Sequence, residues 1–363
     1  MTSSAIPESS ALADALLAAS VVVCAGSGGV GTTSVSAALA IAAAKAGRRA
    51  VVVTIDPARR LADALGLGGL SNQPKLVEGP WAGSLHALML DTKATFDDLV
   101  ATNATDEAQR QRILGNRFYR NISNALSGTQ EYMAGEKLYE LHASGRFDVI
   151  VVDTPPTRNA LDFLGSSNQL GRMLDHRVYR LMTAPGRGIT HAWNRAAQSV
   201  IRRTARVVGA EVIDDAIAFF AAFEGLEDGF RDRSQRVRQL LGSAETVFVL
   251  VASPRADTVR EALFFADQLA VHAIAVRGLV VNRLHPEFPG PVEGEALDKA
   301  GEHTALEAMY RNLADFRAVS QREREVVATL ADSVEPAPVV RIPLFPRDVH
   351  DLDGMLRLAS YLA

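Results

Sequence analysis

The stretch Val21–Ser34, VVVCAGSGGVGTTS, decides how this chain is read. A β-branched apolar run, Val21 to Val23, meets a glycine cluster at Gly26, Gly28, Gly29 and Gly31, and the small residues that follow, TTSVSAALAIAAAKAG, have helical character. Strand, tight turn and helix in that order let backbone N–H groups approach a phosphate closely, with the positive end of the helix dipole aimed at it. An anion site is the first expectation.

Two motifs share these letters. The phosphate loop G-x-x-x-x-G-K-[ST] is matched at Gly26, Gly31 and Thr33, with Thr32 standing where the lysine belongs. The dinucleotide fingerprint G-x-G-x-x-G is matched at Gly26, Gly28 and Gly31, with Asp56 following near the end of the next apparent strand. Glycine turns between strands and helices also occur without any ligand, so the rest of the chain must decide.

Moving outward, RAVVVTIDPARRLADALG (Arg49 to Gly66) reads as a buried strand stopped at Asp56-Pro57, then a helix. Asp56 thus sits at the carboxyl end of a strand, where ligands bind in open α/β sheets, although an aspartate beside proline is also an ordinary turn residue. After a turn-rich link, Gly68 to Trp81, LHALMLD predicts a third strand ending at Asp91. Residues from about Thr92 to Ala143 read mainly as helices, with Glu131 and Glu136 taken as solvated helix charges. FDVIVVDTPPTRNALDFL (Phe147 to Leu164) is the second anchor: an apolar strand ending in Asp153, then a proline-stiffened loop. A carboxylate at a strand tip near a phosphate loop can hold a metal-bound water or magnesium. Together with the glycine loop and Asp56, it favours phosphate chemistry over hydride chemistry.

Composition sets the bounds. A chain of 363 residues with 48% apolar content can bury a large core. A net charge of −4 argues neither for a nucleic-acid protein nor for a disordered acidic one, and the sparse aromatic interleaving among the basic residues argues against nucleic acid. The single cysteine, Cys24, permits no internal disulfide and reads as a small buried residue. The N-terminal MTSSAIPESSALADALLAAS lacks a basic n-region, and no apolar run reaches the roughly 20 residues of a membrane-spanning helix. The expectation is a cytoplasmic protein. The eight histidines show no paired metal-ligand spacing. Downstream, TVFVLVASP, VRGLVVNRLHP and VVRIPLF read as strands separated by helices, which points to α/β winding.

With these segments in view, the chain resembles the arsenical-pump-driving and tail-anchored-protein-targeting ATPases, a deviant-Walker branch of the P-loop NTPases. The glycine loop is similar to their GKGGVGKTT, DPARRLADALG to their first switch and VDTPPTRNALDFL to their second. The resemblance implies a doubly wound, mostly parallel sheet in one P-loop domain over 1–363, with a helical insertion at 165–242, and an ATP-bridged dimer. ATP or ADP with magnesium is the implied cofactor. Carried over by position, Thr33 and Asp153 would serve the metal and Asp56 would orient the attacking water. Gly26, Ser27, Gly28, Gly29, Val30, Gly31, Thr32, Thr33 and Ser34 would form the nucleotide loop, with Asn282 reading the adenine edge and Pro343 and Leu344 closing over the base.

The departures matter equally. The family pattern has one lysine after the first glycine and another before the Ser/Thr; this chain has Ser27 and Thr32 there. Phosphoryl transfer rests on positioning and charge stabilisation, so the loss of both predicts weak or absent hydrolysis, with nucleotide binding less affected. Arg59, Arg60 and Arg158 lie in the switch-like segments and are candidate replacements, though solvated helix-start arginines are the simpler reading. The alternative is a scaffold or client-binding subunit with a vestigial pocket. Partners are then a second copy or a lysine-bearing relative. The insertion, with eight arginines against Asp175 in its first part, suggests a client protein or an anionic surface. Its second part places Val212, Ile213, Ala216, Ile217, Phe220 and Phe223 on one helical face. Arsenite chemistry and a Cys-x-x-Cys zinc clasp are both excluded by the single thiol.

Overall fold

The computed structural model describes residues 8–56, 60–122, 129–154, 210–222, 225–288 and 304–363. These fall into two compact units. The first takes residues 8–56, 60–89, 145–154, 244–288 and 304–363; the second takes 90–122, 129–144, 210–222 and 225–243. The switch-like residues 57–59 and 155–164, the basic stretch 165–209 and the link 289–303 lie outside the described residues, and with them Arg59 and Arg158.

The first unit is built on one eight-stranded sheet in the order β3-β4-β2-β5-β1-β6-β7-β8. Its strands are β1 Val21–Gly26, β2 Arg49–Thr54, β3 Lys75–Val77, β4 Ser84–Met89, β5 Val149–Asp153, β6 Thr246–Ala252, β7 Val276–Leu284 and β8 Val339–Pro343. Every pairing is parallel except that of β3 with β4, which is antiparallel. β3 is a short edge strand inside the stretch that the sequence suggests is only turns. The central strands read as continuous apolar runs because both of their faces are covered. β1, β5 and β6 are buried along their whole lengths.

Helix α1 (Glu8–Ala18) precedes β1, while α2 (Thr32–Lys45) and α3 (Arg60–Ala64) follow β1 and β2; α10 (Ala256–Val271), α11 (Thr304–Ser333) and α12 (Leu352–Ala359) follow the later strands. Leu12, Val35, Leu39, Leu61 and Leu358 join one face of the sheet, through Val22, Cys24, Val52, Val151 and Val249, in a continuous core. Helix α2 runs through the middle of it. Its alanines let the helix lie close to the strands, and from Val35 to Ala44 it has no exposed residue. Helices α10 and α11 pack on each other and on β6 and β7. Cys24 is a free, buried thiol whose burial pushes its pKa up to about 12, which makes it an inert core residue.

The strand order separates the two motifs that the glycine loop left open. In the dinucleotide order 3-2-1-4-5-6, strand 2 lies beside strand 1, so its terminal acid reaches the ribose. Here β5 intervenes between β1 and β2, and it is Asp153 that pairs in register with Cys24 of β1. Such an order places a β5 carboxylate directly beside β1, with the β2 acid one strand further out.

The second unit is helical: α4 (Thr92–Asn103), α5 (Glu107–Leu114), α6 (Arg117–Ile122), α7 (Thr129–Ala143), α8 (Ala210–Ala222) and α9 (Glu227–Leu241). Asp91 and Asp106 cap α4 and α5 by accepting from the amides of Ala94 and Gln109 at 2.9 and 2.6 Å. Tyr119 stacks on Phe219, with ring centroids 5.9 Å apart. Ala216 lies on the buried side of α8 as the sequence suggests, Phe219 joins it there, and Phe220 is partly buried beside Phe118; Phe223 and the side chains of Val212 and Ile213 lie outside the described residues. Glu131 and Glu136 correct the sequence reading, since both are buried. Arg233 of α9 donates to Glu136 at 2.6 Å and lies over the Tyr139 ring, so that pairing between helices, and not water, holds this charge.

Candidate functional site

The candidate site lies at the carboxyl ends of β1, β2 and β5, where the strand order diverges from β1 to either side. The loop leaves β1 at Gly26. A Cβ there would stand 2.6 Å from both Thr32 Oγ1 and the Val251 carbonyl, so only glycine admits the turn. The loop enters α2 through Gly31, whose φ of 93° is left-handed and whose Cβ position is blocked by the Asn282 amide nitrogen. No side chain caps α2, and its first turn holds no acidic residue. The orphan amides and the positive helix end are therefore left for a ligand.

A cleft of about 180 Å³ over this loop brings together Ser27, Gly28, Gly29, Thr33, Ser34, Asp56 and Asp153. Among the described residues, Arg60 and Arg283 are the cations on its wall, and no lysine lines it. Ser27 is 5% exposed, and its Oγ has no hydrogen-bond partner among the described residues. Val30 is buried beneath the loop. Asp56 lies 3.9 Å from the Arg60 guanidinium.

Asp153 is the electrostatic centre of the cleft. Oδ2 accepts from Thr54 Oγ1 at 2.9 Å, whereas the buried Oδ1 has no hydrogen-bond partner among the described residues. Burial raises its carboxyl to about 6; hydrogen bonds from Thr33 and Thr54 pull the other way, and the Asp56 charge adds to the rise. An aspartate held this way has an oxygen reserved for a cation. Among the described residues no three His, Cys, Asp or Glu side chains converge as a metal cage. The oxygen donors Thr33 and Asp153 fit magnesium arriving with phosphate oxygens, which supply the remaining coordination.

The raised carboxyl has a measurable consequence. Its folded pKa exceeds its unfolded value near 3.8, so the burial cost is absent below that pH, grows as pH rises towards 6 and is constant above it. A shift of this size corresponds to about 3 kcal/mol. Asp153→Asn is expected to raise the urea midpoint clearly at pH 7.5, with the gain shrinking towards pH 4. A gain that is the same at both pH values would mean that charge burial is not the cause.

A second, smaller cleft of about 90 Å³ adjoins the first through Gly31, Ser34 and Arg283. Asn282, Pro343 and Leu344 line it, together with Phe345 and Val349. Asn282 is buried and donates from Nδ2 to the Val30 carbonyl at 2.8 Å, tying β7 to the glycine loop. The sequence-predicted site residues of β1, β2, β5, β7 and β8 are thereby gathered along two contiguous clefts.

Arg283 is the residue that the sequence reading missed. Val281 pairs with Arg341 and Leu284 with Pro343, so β7 spends three steps where β8 spends two. This bulge re-aims the chain, as bulges beside functional sites do. Arg283 takes up the left-handed conformation with φ 65°, which costs a non-glycine residue roughly 1–2 kcal/mol. Its Nη1 donates to the Gly29 carbonyl at 3.0 Å, which sets the guanidinium on the rim of both clefts. Only a register count across β7 and β8 reveals it.

Comparison with known proteins agrees with this geometry. The sequence model of the family described as Anion-transporting ATPase matches residues 19–363. The protein named ATPase get3 of Aspergillus terreus is 23% identical over 339 residues, covering 93% of this chain and 88% of that protein. The protein named ATPase GET3A of Arabidopsis thaliana is 26% identical over 259 residues, covering 71% of this chain and 65% of its own length. Among the described residues, no helix is long and apolar enough to cross a membrane.

Proposed function

Because this chain belongs to the anion-transporting ATPase family, we propose that it binds an adenine nucleotide with magnesium at the glycine loop and hydrolyses it weakly or not at all. One observation carries this reading. The cleft keeps the amide cradle, Thr33, Asp56 and the orphaned Asp153 oxygen, while the positions of both loop lysines are held by Ser27 and Thr32.

In this reading the amides from Gly28 to Thr33 bind the phosphates, Thr33 and Asp153 hold the cation, and Asp56 orients a water. Asn282, Pro343 and Leu344 hold the base. Magnesium, when held with the nucleotide, neutralises charge developing on the phosphoryl oxygens. The side chains that would complete that neutralisation are lacking, so binding outlasts turnover. The chain acts as a cytoplasmic, nucleotide-responsive subunit of a dimer, with a second copy or a lysine-bearing relative. It comprises one P-loop domain with the helical insertion 165–242 available to a client protein or an anionic surface.

Titration calorimetry with ATP, ADP and NAD, each with and without magnesium, tests the reading. Magnesium-dependent binding of ATP and ADP, with none of NAD, is expected. Silence towards all three would leave a scaffold with a vestigial pocket, and binding of NAD alone would overturn the nucleotide assignment.

A further inference from the structure

We propose that Arg283 is a phosphate-binding residue of this chain, supplying from β7 a positive charge that the loop itself no longer carries. The assignment rests on the nucleotide reading above and extends it to a residue that belongs to neither glycine motif nor either switch-like segment.

Three observations converge on it. First, the described part of the phosphate cleft is short of charge: among the described residues lining it there is no lysine, and the arginines are Arg60 and Arg283. Arg60 stands 3.9 Å from Asp56, so its charge is shared with a carboxylate already in the cleft. Arg283 makes no ion pair among the described residues, and its one hydrogen bond there, to the Gly29 carbonyl, leaves most of its five N–H donors uncommitted.

Second, its position is built, not incidental. The extra residue in β7 and the left-handed backbone at Arg283 hold the guanidinium at the edge shared by the two clefts. A non-glycine residue in that conformation is strained, and strain kept beside a binding cleft points to a use for the side chain it presents. A solvated surface arginine would need neither the bulge nor the contact with the loop.

Third, the loop shows where charge is missing. Ser27 Oγ is buried against the cleft with no hydrogen-bond partner among the described residues, at the position from which a lysine would have extended. Arginine suits the replacement role, because its planar fork can bind two phosphate oxygens at once while remaining charged at any working pH. The ligand class that matches is a nucleoside di- or triphosphate whose base lies by Asn282 and whose phosphates lie over Gly28 and Gly29.

The test uses the full chain and two substitutions. Arg283→Gly removes the charge while suiting the left-handed backbone, so it should fold at least as stably as the native protein; Arg283→Lys keeps the charge without the fork. Affinities for Mg–ATP, Mg–ADP and adenosine are measured by calorimetry alongside thermal unfolding. Arg283→Gly is expected to weaken Mg–ATP binding tenfold or more, to weaken Mg–ADP less, and to leave adenosine binding and the unfolding temperature undiminished. Arg283→Lys should fall in between. Adding Thr32→Lys to Arg283→Gly should recover most of the lost ATP affinity, since the two charges serve one ligand.

Equal ATP affinity for the native chain and Arg283→Gly would overturn the assignment while leaving the nucleotide reading intact. So would equal losses for ATP and adenosine, which would mark a structural role through Asn282. A native chain that binds neither ATP nor ADP would overturn both.

Discussion

Ser27→Lys combined with Thr32→Lys is expected to raise the single-turnover rate of Mg–ATP hydrolysis roughly 100-fold or more over the native chain, because one well-placed donor in a reacting site is commonly worth about that factor. The cleft supplies the other requirements: Thr33, Asp56 and Asp153 are together, and Gly26 and Gly31 hold the loop in its turn. Among the described residues, no cation stands where it could follow charge onto the transferring group. Arg283 sits on the rim and Arg60 is engaged with Asp56, so neither occupies the floor of the loop. Single-turnover measurement with enzyme in excess isolates the chemical step from product release. A rate that stays at the native level while ATP still binds would show that lysine is not the limiting absence, and would direct attention to the placement of Asp56.

Gly31→Val is expected to have the largest effect on the fold of the site. The substitution forces a β-branched side chain into a left-handed backbone at roughly 1–2 kcal/mol, and the new Cβ collides with the Asn282 amide. Displacing that amide breaks its bond to the Val30 carbonyl, which adds about 1 kcal/mol, and Asn282 is buried, so an unmet donor costs more still. A loss of at least ~3 kcal/mol should appear as a lower urea midpoint, together with loss of nucleotide binding. The same change at Gly29, where a Cβ would meet nothing within 4 Å, should cost backbone strain alone. If the two variants lose the same stability, the contact with Asn282 is not what fixes Gly31.

Much of this arrangement was legible in the chain because it depends on short-range chemistry. Runs such as Val21–Val23 and Val149–Val152 signal strands buried on both faces, and the glycines and Asp153 follow them directly. Family membership agrees with the resemblance carried by those motifs. Other features depend on neighbours far away in sequence. β3 is too short to stand out from its turns, and exists because β4 offers it an edge. Glu136 looks like a solvated helix charge until α9 brings Arg233 against it. Arg283 looks like the residue after a strand-ending asparagine; its importance lies in the mismatch of register between β7 and β8 and in a carbonyl of the glycine loop. The choice between the two glycine motifs was likewise a question of which strand lies beside β1, and that is a property of the sheet.

Helix α2 carries a consequence of its own. Ala37, Ala38, Ala40, Ala43 and Ala44 are closed in on every side, and a further methylene at such positions typically costs 1–3 kcal/mol. The loop ahead of them lines a cleft that opens to solvent. The freedom of this chain to vary is thus distributed against intuition: outside the two tight glycines, Gly26 and Gly31, the loop's side chains can be exchanged and leave a folded protein, whereas the featureless alanines behind them can hardly be exchanged at all. Change of function is open to this architecture along the loop, and its inheritance is kept in the methyl groups.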